Sequence, residues 1–421
     1  MRAGGCWNRW MPADPARVVA DLKELRALTA TDEGSQRLAW TEPWKQAREW
    51  WLSTFDGVPV ETETDAAGNM WVTLVGESRD RVVVGSHLDS VPNGGWLDGA
   101  LGVLAGSETL RAMHRDGISM PHSLSVVDWA DEEGARFGRS LFGSGAVSGT
   151  LEVASVRHFT DKSGNVLQDT VRDYGVNMDT VLTAGDVLSS IKASAELHIE
   201  QGPVLEAKGL RLAALHGILG VERRMVKLTG QAAHAGATPI RMRKDTTLAA
   251  ARMAIAIRQL GLDEGAFATI GVWRVHPAVP TAVNGRTEFS VDMRHLDRVV
   301  LARMVAGLER IVNEIAPDEG CQAEIETVWS INPIDFHPEL VEFAADIVEK
   351  ETGIREVMPS GPMHDSAEMA RAGVPTIMMF VPSINGLSHT HIEDPAEADI
   401  ELGVAAFDQL VRKMIGWVPA T

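Results

Sequence analysis

Cysteine is scarce in this 421-residue sequence, which contains only Cys6 and Cys321. Two cysteines cannot form a disulfide scaffold, and such scarcity is typical of proteins in a reducing compartment. Both cysteines also lie outside the segments that are rich in histidine and carboxylate, so any metal ion would be bound by those residue types. We therefore expect a cytoplasmic protein.

Long apolar segments and positive charge are also in short supply. No apolar run approaches the ~20 residues that span a bilayer, and residues 1–15 lack the apolar core of a signal peptide. The sequence has 39 lysines and arginines against 58 aspartates and glutamates, which gives a net charge of −19. This charge argues against nucleic acids and anionic membranes as partners. The length predicts two domains, and a hydrophobic content of 45% is ample for their cores.

The most informative segment spans residues 85–99. His87 follows an apolar run at the end of a predicted strand, Asp89 comes two residues later, and Asp98 stands at the start of a predicted helix. Since residues i and i+2 share a face of extended backbone, Asp89 can hold the His87 imidazole in one tautomer. Two carboxylates and a histidine are costly to bury together unless a cation lies between them. The segment therefore predicts a divalent metal site.

Three further strand ends carry residues of the same chemistry. Two consecutive glutamates follow the predicted strand 124–129, and because neighbours on extended backbone point to opposite sides, one can bind metal while the other acts as a base. Each motif alone could be a solvated turn or a packed histidine. Together they favour one site, because open α/β sheets place their sites at the carboxyl ends of strands. The candidates are Glu132, Glu133, His198 and, equivalent by spacing alone, His389 and His391.

The order of predicted elements indicates two domains. Strands alternate with helices in the first part of the chain, which predicts an α/β domain with a mostly parallel sheet covered on both faces. From residue 222 the predicted order becomes β-α-β-β-α-β, the ferredoxin-like plan. We therefore expect one domain formed by residues 1–218 and 330–421, interrupted by an inserted α+β domain of residues 219–329.

Six motifs, in this order, resemble the signatures of the M20-type dinuclear metallohydrolases, and most closely those of the amidase, hydantoinase and carbamoylase branch. The resemblance runs from about residue 20 to the C-terminus. It implies a zinc-hydrolase catalytic domain and an inserted lid domain that also forms a homodimer. The motifs are GSHLDSVPNGGWLDGALG, DEEGARFG, ELHIEQGPVLE, GQAAHAGATPIRMRKD, DMRH and SINGLSH.

The resemblance also implies two divalent ions per subunit, with zinc the first choice and manganese, cobalt or nickel as substitutes. Asp98 resembles the bridging ligand of the family. Glu132 resembles the general base, which takes a proton from the attacking water and passes it to the leaving nitrogen. The match to SINGLSH favours His389 over His391. The other ligands implied are His87 and His198 for one ion and Glu133 and His389 for the second.

The implied substrate contacts lie mostly in the inserted domain. His234 resembles a histidine that stabilises the tetrahedral oxyanion in the partner subunit's site. Arg294 resembles an arginine that binds the substrate carboxylate with its planar guanidinium group. Gln201 resembles a contact to the substrate amide. Two pocket positions depart from the branch, since Thr281 replaces a common asparagine and Met363 a glycine. These changes predict a more apolar pocket, which prefers bulky or hydrophobic side chains to the polar allantoate.

The function that the resemblance implies is hydrolysis of linear amide or ureido compounds carrying a carboxylate, with N-carbamoyl-L-amino acids as the first substrate class. Allantoate or ureidoglycolate amidohydrolase is an alternative. A dipeptidase or aminoacylase of the wider group is another, but the EEGxRF and HIEQG forms count against it. A non-catalytic binding protein is disfavoured because all five ligands and Glu132 are present.

Overall fold

A computed structural model of the protein describes residues 11–117 and 119–417. Cys6 and most of residues 1–15, the segment that lacks the pattern of a signal peptide, lie outside these residues. The chain divides into two compact units. The first comprises Met1–His216 and Asp335–Thr421, and the second comprises Gly217–Ile334. That the first is catalytic and the second a lid stays a prediction.

The first unit is built on a mixed sheet. Its four central strands are parallel to one another, and antiparallel strands flank them on both sides. The prediction of a mostly parallel sheet therefore describes only the centre, because the chain enters the sheet through a tight hairpin over residues 60–74, which must be antiparallel. The strands lie in the order Ala213–Ile218, Thr376–Val381, Ile191–Ile199, Arg81–Ser86, Ser123–Asp128, Met70–Leu74 and Val60–Thr64, with Val357–Ser360 paired to the first of these.

Helices and short strands complete the first unit. Ala100–Asp116 follows the Asp98 loop directly and is buried through Met113. It lies so close to the sheet that a Cβ on Gly102 would be 2.7 Å from the Leu197 carbonyl oxygen. The α-helices are Pro15–Thr29, Glu42–Ser53, Ala100–Asp116, Phe142–Ser148, Val153–Val156, Leu167–Arg172, Val204–Lys208, Pro338–Thr352, Asp365–Arg371 and Glu397–Ile415, with 3-10 helices at Val181–Ser190 and Ile384–Gly386 and a small hairpin of Ala30–Thr31 and Gly34–Ser35.

Tryptophans near the N-terminus are part of the core. Trp40, Trp44 and Trp51 are each at most 2% exposed, and the rings of Trp40 and Trp44 meet edge to face at 4.9 Å. Trp50 is partly exposed. Of the four tryptophans at positions 40, 44, 50 and 51, three are therefore core residues.

The second unit is a smaller α+β unit with an antiparallel sheet. Strand order is Phe267–Thr269, Arg286–His295, Gly220–Thr229 and Gln322–Ile331, and Trp273–His276 also pairs with Arg286–His295. The helices Thr246–Glu264 and Arg298–Asp318 contribute to its hydrophobic core. The hydrophobic pattern of residues 267–275 predicts one strand, but the structure has two strands on either side of Gly271, as is common where glycine interrupts a strand. Short elements of the second unit are Ala233–His234, Ile240–Met242 and Ala282–Val283. The two-residue strand Ile334–Asp335 pairs with Ala213–Ile218 at the edge of the large mixed sheet.

No helix within residues 11–117 and 119–417 is long and apolar enough to cross a membrane. The cytoplasmic location expected from the sequence stays a prediction.

Candidate metal centre

The Asp98 carboxylate lies at the centre of a cluster of histidines in the first unit. Its Oδ1 is 3.2 Å from Nε2 of His198 and 3.9 Å from Nε2 of His87. These three side chains are each at most 3% exposed, and their ligand atoms are close enough to surround one ion. The first group of potential metal ligands is therefore His87, Asp98 and His198.

The second oxygen of Asp98 faces a second group. His389 Nε2 lies 3.3 Å from Asp98 Oδ2 and 3.4 Å from Glu133 Oε2. The other carboxylate oxygen of Glu133 is buried and finds no hydrogen-bond partner within the described ranges. Asp98, Glu133 and His389 can hold an ion together, so Asp98 belongs to both groups and offers one oxygen to each.

The spacing of these atoms fits metal ligands. Two ligands bound to zinc at about 2.0–2.1 Å in tetrahedral geometry lie about 3.3 Å apart. The distances from Asp98 to His198 and His389, and from His389 to Glu133, are 3.2–3.4 Å. Imidazole nitrogens and carboxylate oxygens are also the donor types that zinc accepts. His391, in contrast, is exposed and lines a small cavity beside Arg26 and Trp96.

The ligands come together because they follow neighbouring strands of one sheet. His87 follows Arg81–Ser86, the two glutamates follow Ser123–Asp128, and His198 lies near the end of Ile191–Ile199. The carboxyl ends of parallel strands meet at one edge of a sheet. Three non-glycine residues here, Asp131, Gln201 and His389, have φ of 56–58°, and such left-handed conformations are common at functional sites.

Asp89 has a different contact to His87 from the one the sequence suggests. The Nδ1 atom of His87 lies 3.0 Å from the backbone oxygen of Asp89 and 3.6 Å from its carboxylate. The carboxylate instead accepts hydrogen bonds from the backbone N–H groups of Glu132 and Glu133, each at 3.2 Å. Asp89 therefore fixes both the imidazole and the turn that presents the two glutamates.

Burial and mutual repulsion shift the acids of the cluster. Burial, and then the charge of Glu133, raises the pKa of Glu132 well above its usual range. Burial, and then Asp98, does the same to the pKa of Glu133. Burial has the largest single effect on His198 and would lower its pKa, but the hydrogen bond to Asp98 and the negative charges of Asp98 and Glu196 together outweigh burial and raise the pKa to about 9. A divalent cation among these acids would relieve the repulsion.

Gln201 and Met363 flank the ligands. The Gln201 amide donates to Asp98 Oδ2 at 2.9 Å and to the Ser388 hydroxyl at 3.1 Å. Met363 is partly buried and precedes His364, whose ring centroid lies 4.4 Å from that of His198. Both residues therefore lie in segments that touch the ligand cluster.

The remaining candidates lie in the second unit. His234 is exposed and its short strand pairs with Ala282–Val283, while the backbone N–H of Ala235 donates to the Thr281 carbonyl at 2.8 Å. His234 and Thr281 are thus neighbours. Arg294 is oriented within the main sheet of the unit by a hydrogen bond from its Nε to Asp292 at 2.7 Å.

Sequence analysis missed a buried carboxylate next to the ligands. Glu196 lies close enough to His198 and His364 to share an ion with them. Its oxygens, however, accept hydrogen bonds from the Ser86 hydroxyl at 2.6 Å and from the hydroxyl and N–H of Ser366 at 2.7 and 3.2 Å. Glu196 therefore joins the end of strand Arg81–Ser86 to the start of helix Asp365–Arg371. Its position two residues before His198, on the same strand face, was the available signal.

A buried ion pair fixes the strand ends beneath the site. Arg48 donates through Nε to Asp128 at 2.5 Å, and the other oxygen of Asp128 accepts the N–H of Leu88 at 2.6 Å. The Trp40 indole donates to Asp131 at 2.9 Å. These contacts join helix Glu42–Ser53 and the tryptophan core to the turns that carry His87 and Glu132, and no motif in the sequence signals them.

A mixed α/β sheet whose strand ends hold two ligand groups around one shared aspartate defines a class of metal-dependent hydrolases. The profile of Peptidase family M20/M25/M40 matches residues 83–413. The chain is 33% identical to an allantoate amidohydrolase of Bacillus subtilis, over 91% of this chain and 94% of that protein. It is 34% identical to an N-carbamoyl-L-amino-acid amidohydrolase of Rhizobium meliloti, over 91% and 93%.

A solved structure has the same fold. The amidase of the hydantoinase/carbamoylase family from Burkholderia multivorans superposes with a TM-score of 0.89 at 32% identity, covering 97% of this chain and 99% of that one. The chain belongs to Peptidase family M20/M25/M40, as its motifs predict. It is a hydrolase that acts on carbon–nitrogen bonds of ureido and amide compounds.

Proposed function

We propose that the protein hydrolyses N-carbamoyl-L-amino acids, releasing ammonia and carbon dioxide from the carbamoyl group. The observation that carries the proposal is the position of Asp98, with one carboxylate oxygen facing each of two ligand groups. The substrate class is supported by the relative from Rhizobium meliloti, which is named for that activity. Allantoate is the second candidate, since the relative from Bacillus subtilis is named for it.

The ligand set would hold two divalent ions, with zinc the first choice and manganese, cobalt or nickel able to replace it. His87 and His198 would bind one ion, Glu133 and His389 the other, and Asp98 both. When bound, such a pair supplies Lewis acidity, which lowers the pKa of water and polarises the scissile carbonyl. The buried oxygen of Glu133 that has no hydrogen-bond partner in the described part of the chain supports this assignment.

Glu132 is the general base of the proposed reaction. It is 8% exposed, and its Oε2 lies 3.7 Å from His87 Nε2, at the edge of the first ligand group. It takes a proton from the attacking water and delivers it to the leaving nitrogen, so its carboxyl must hold a proton between the two steps. Burial and neighbouring acids, which raise its pKa, favour that role.

We assign the second unit to a ferredoxin-like lid and dimerisation domain. Its element order supports the fold. Helix Thr246–Glu264 supports dimerisation, because Leu248, Ile255 and Leu262 are 47–74% exposed at seven-residue spacing and so form one apolar stripe. A stripe of this kind is suited to a second copy of the chain.

The substrate contacts follow from this arrangement. His234 would stabilise the developing oxyanion in the partner subunit, and Arg294, oriented by Asp292, would bind the substrate carboxylate. Gln201 would contact the substrate amide. Thr281 and Met363 would line a pocket more apolar than is usual in the branch, and so favour large hydrophobic side chains.

A substrate panel tests the proposal. Purified protein loaded with zinc is given N-carbamoyl amino acids, allantoate, ureidoglycolate, N-acyl amino acids and dipeptides, and ammonia release and amine formation are followed. We expect the highest kcat/KM with N-carbamoyl derivatives of hydrophobic amino acids, and activity lower by on the order of 10²–10⁴ with a Glu132→Gln control. Faster turnover of allantoate or ureidoglycolate would replace the proposed substrate, and activity on dipeptides or N-acyl amino acids alone would move the enzyme to the wider peptidase group.

A further inference from the structure

Glu393 is a buried acid that contacts the Asp98 loop without being a candidate ligand. It is 1% exposed. Its Oε1 accepts the backbone N–H groups of Leu97 and Asp98, each at 3.1 Å, and its Oε2 accepts the Ser388 hydroxyl at 3.2 Å. Its backbone oxygen accepts the indole N–H of Trp96, also at 3.1 Å. Three of these four contacts link chain segments almost 300 residues apart.

Gly95 completes the cradle around this carboxylate. A Cβ atom built on Gly95 would lie 2.1–2.5 Å from the carboxylate carbon and oxygens of Glu393. Because a Cβ cannot lie so close to another heavy atom, the Glu393 carboxylate can occupy this position only when residue 95 is glycine. The loop before Asp98 is therefore shaped to receive Glu393.

We propose that Glu393 is a positioning residue, which clamps the loop ending at Asp98 to the loop carrying His389. The inference rests on the proposed metal centre. Asp98 and His389 both belong to the second ligand group, but they lie in irregular loops that are far apart in the sequence. The backbone of His389 has a φ of 58°. Without a contact between these loops, each metal-binding event would have to order both of them.

Hydrogen-bond geometry, and not charge, is the basis of the clamp. In a Glu393→Gln variant the amide oxygen can occupy the Oε1 position and still accept both backbone N–H groups. The amide nitrogen can then donate to Ser388, whose own proton turns to Asp98 Oδ2, 3.1 Å away. Glutamine should therefore replace glutamate, whereas alanine should not. A role based on negative charge would make glutamine as damaging as alanine.

The first test compares zinc dissociation constants, measured by chelator competition, for wild type, Glu393→Ala, Glu393→Gln and the control Glu397→Ala. Glu397 is an exposed acid nearby in the sequence, paired with Lys23. We expect zinc binding to weaken about 10- to 100-fold in Glu393→Ala, the usual cost of losing a group that supports a metal ligand. Glu393→Gln and Glu397→Ala should stay close to wild type. Equal losses in the Gln and Ala variants, or no loss in Ala, would overturn the proposal.

Gly95→Ala tests the same contact from the other side. It should weaken zinc binding like Glu393→Ala, and the double variant should be no worse than either single one. Additive losses would mean that the two residues act separately, against the proposal.

Hydrogen exchange of the metal-free chain separates this inference from the metal centre. The amides of Leu97 and Asp98 should exchange faster in Glu393→Ala than in wild type, whether or not the protein binds zinc. Unchanged exchange would overturn the clamp. Failure of wild type to bind zinc would instead overturn the proposed function, with the exchange result still deciding the clamp.

Discussion

The two units hold their candidate residues in opposite ways. In the first, His87, Asp98 and His198 are at most 3% exposed and converge on one another at the ends of neighbouring strands. In the second, His234 is exposed in a two-residue strand, and Arg294 is held by an acid of its own sheet. One unit has a preassembled cluster, and the other presents separate groups at its surface.

This difference indicates a division of labour. Buried carboxylates repel one another, and burial removes water from both carboxylates and imidazoles. A cation bound between them offsets both costs, so such a cluster favours a metal site over a purely structural core. Exposed groups such as His234 cost nothing to keep and can change partners when domains or subunits move. We therefore expect substitutions in the first unit to affect metal binding, and those in the second to affect catalysis with the metal still bound.

Removal of the metal should have the largest effect. Chelation should abolish activity, and zinc, manganese or cobalt should restore it. Asp98→Ala should lose both ions, because it removes the one group shared by the two ligand sets. Metal content by mass spectrometry gives the measurement, and His391→Ala is the matched control, since this exposed histidine lies two residues from His389. An Asp98→Ala chain that keeps its metal would refute the centre.

Loss of the base should come next and should leave the metal in place. Glu132→Gln should lower kcat by on the order of 10²–10⁴, the usual weight of general acid–base catalysis. Its neighbour provides the contrast, because Glu133→Gln should weaken metal binding at the second ligand group. Metal content and steady-state kinetics of both variants separate the two roles. Near-normal turnover by Glu132→Gln would remove it from the mechanism.

The same contrast between the units shows what the sequence could predict. Strand ends in the first unit carry short motifs, so His87, Asp98, Glu133 and His198 could be chosen from local pattern and from family resemblance. His389 and His391 could not be separated by spacing, because the choice depends on how a loop of irregular backbone folds. The structure turns His389 toward Asp98 and Glu133.

Supporting contacts were beyond the reach of sequence reasoning. Arg48 and Asp128 are 80 residues apart, and Glu393 and Leu97 are 296 apart. Nothing local in the sequence marks such pairs, because charged residues are mostly exposed in proteins and are therefore predicted to be exposed here. The break near Gly271 is also missed, because the hydrophobic pattern of residues 267–275 is nearly continuous and predicts a single strand.

His234→Ala tests the second unit. Metal content should be unchanged while kcat falls about 10²–10³-fold, the usual cost of losing an oxyanion donor. His276→Ala, an exposed histidine of the same unit, should have no effect. Mixed with Glu132→Gln chains, His234→Ala chains should regain activity of roughly a quarter of wild type, because half the dimers are mixed and each has one intact site. No gain after verified subunit exchange would mean that His234 does not act across the dimer.

Arg294→Lys should have the smallest effect, and one that depends on the substrate. Asp292 fixes the arginine through its Nε, and a lysine ammonium cannot reproduce the planar fork that binds a carboxylate in two places. Loss of one charged hydrogen bond should lower kcat/KM by roughly 10- to 100-fold, chiefly through KM, with metal content unchanged. With wild type, amidation of the substrate carboxylate should lower kcat/KM by the same factor. Amidation should lower the kcat/KM of Arg294→Lys little further, since both changes remove the interaction between Arg294 and the carboxylate. Arg286→Lys, at the start of the same strand, is the control. If acid and amide substrates are hydrolysed equally well by wild type, Arg294 does not recognise the carboxylate, and the contrast between the two units would then rest on His234 alone.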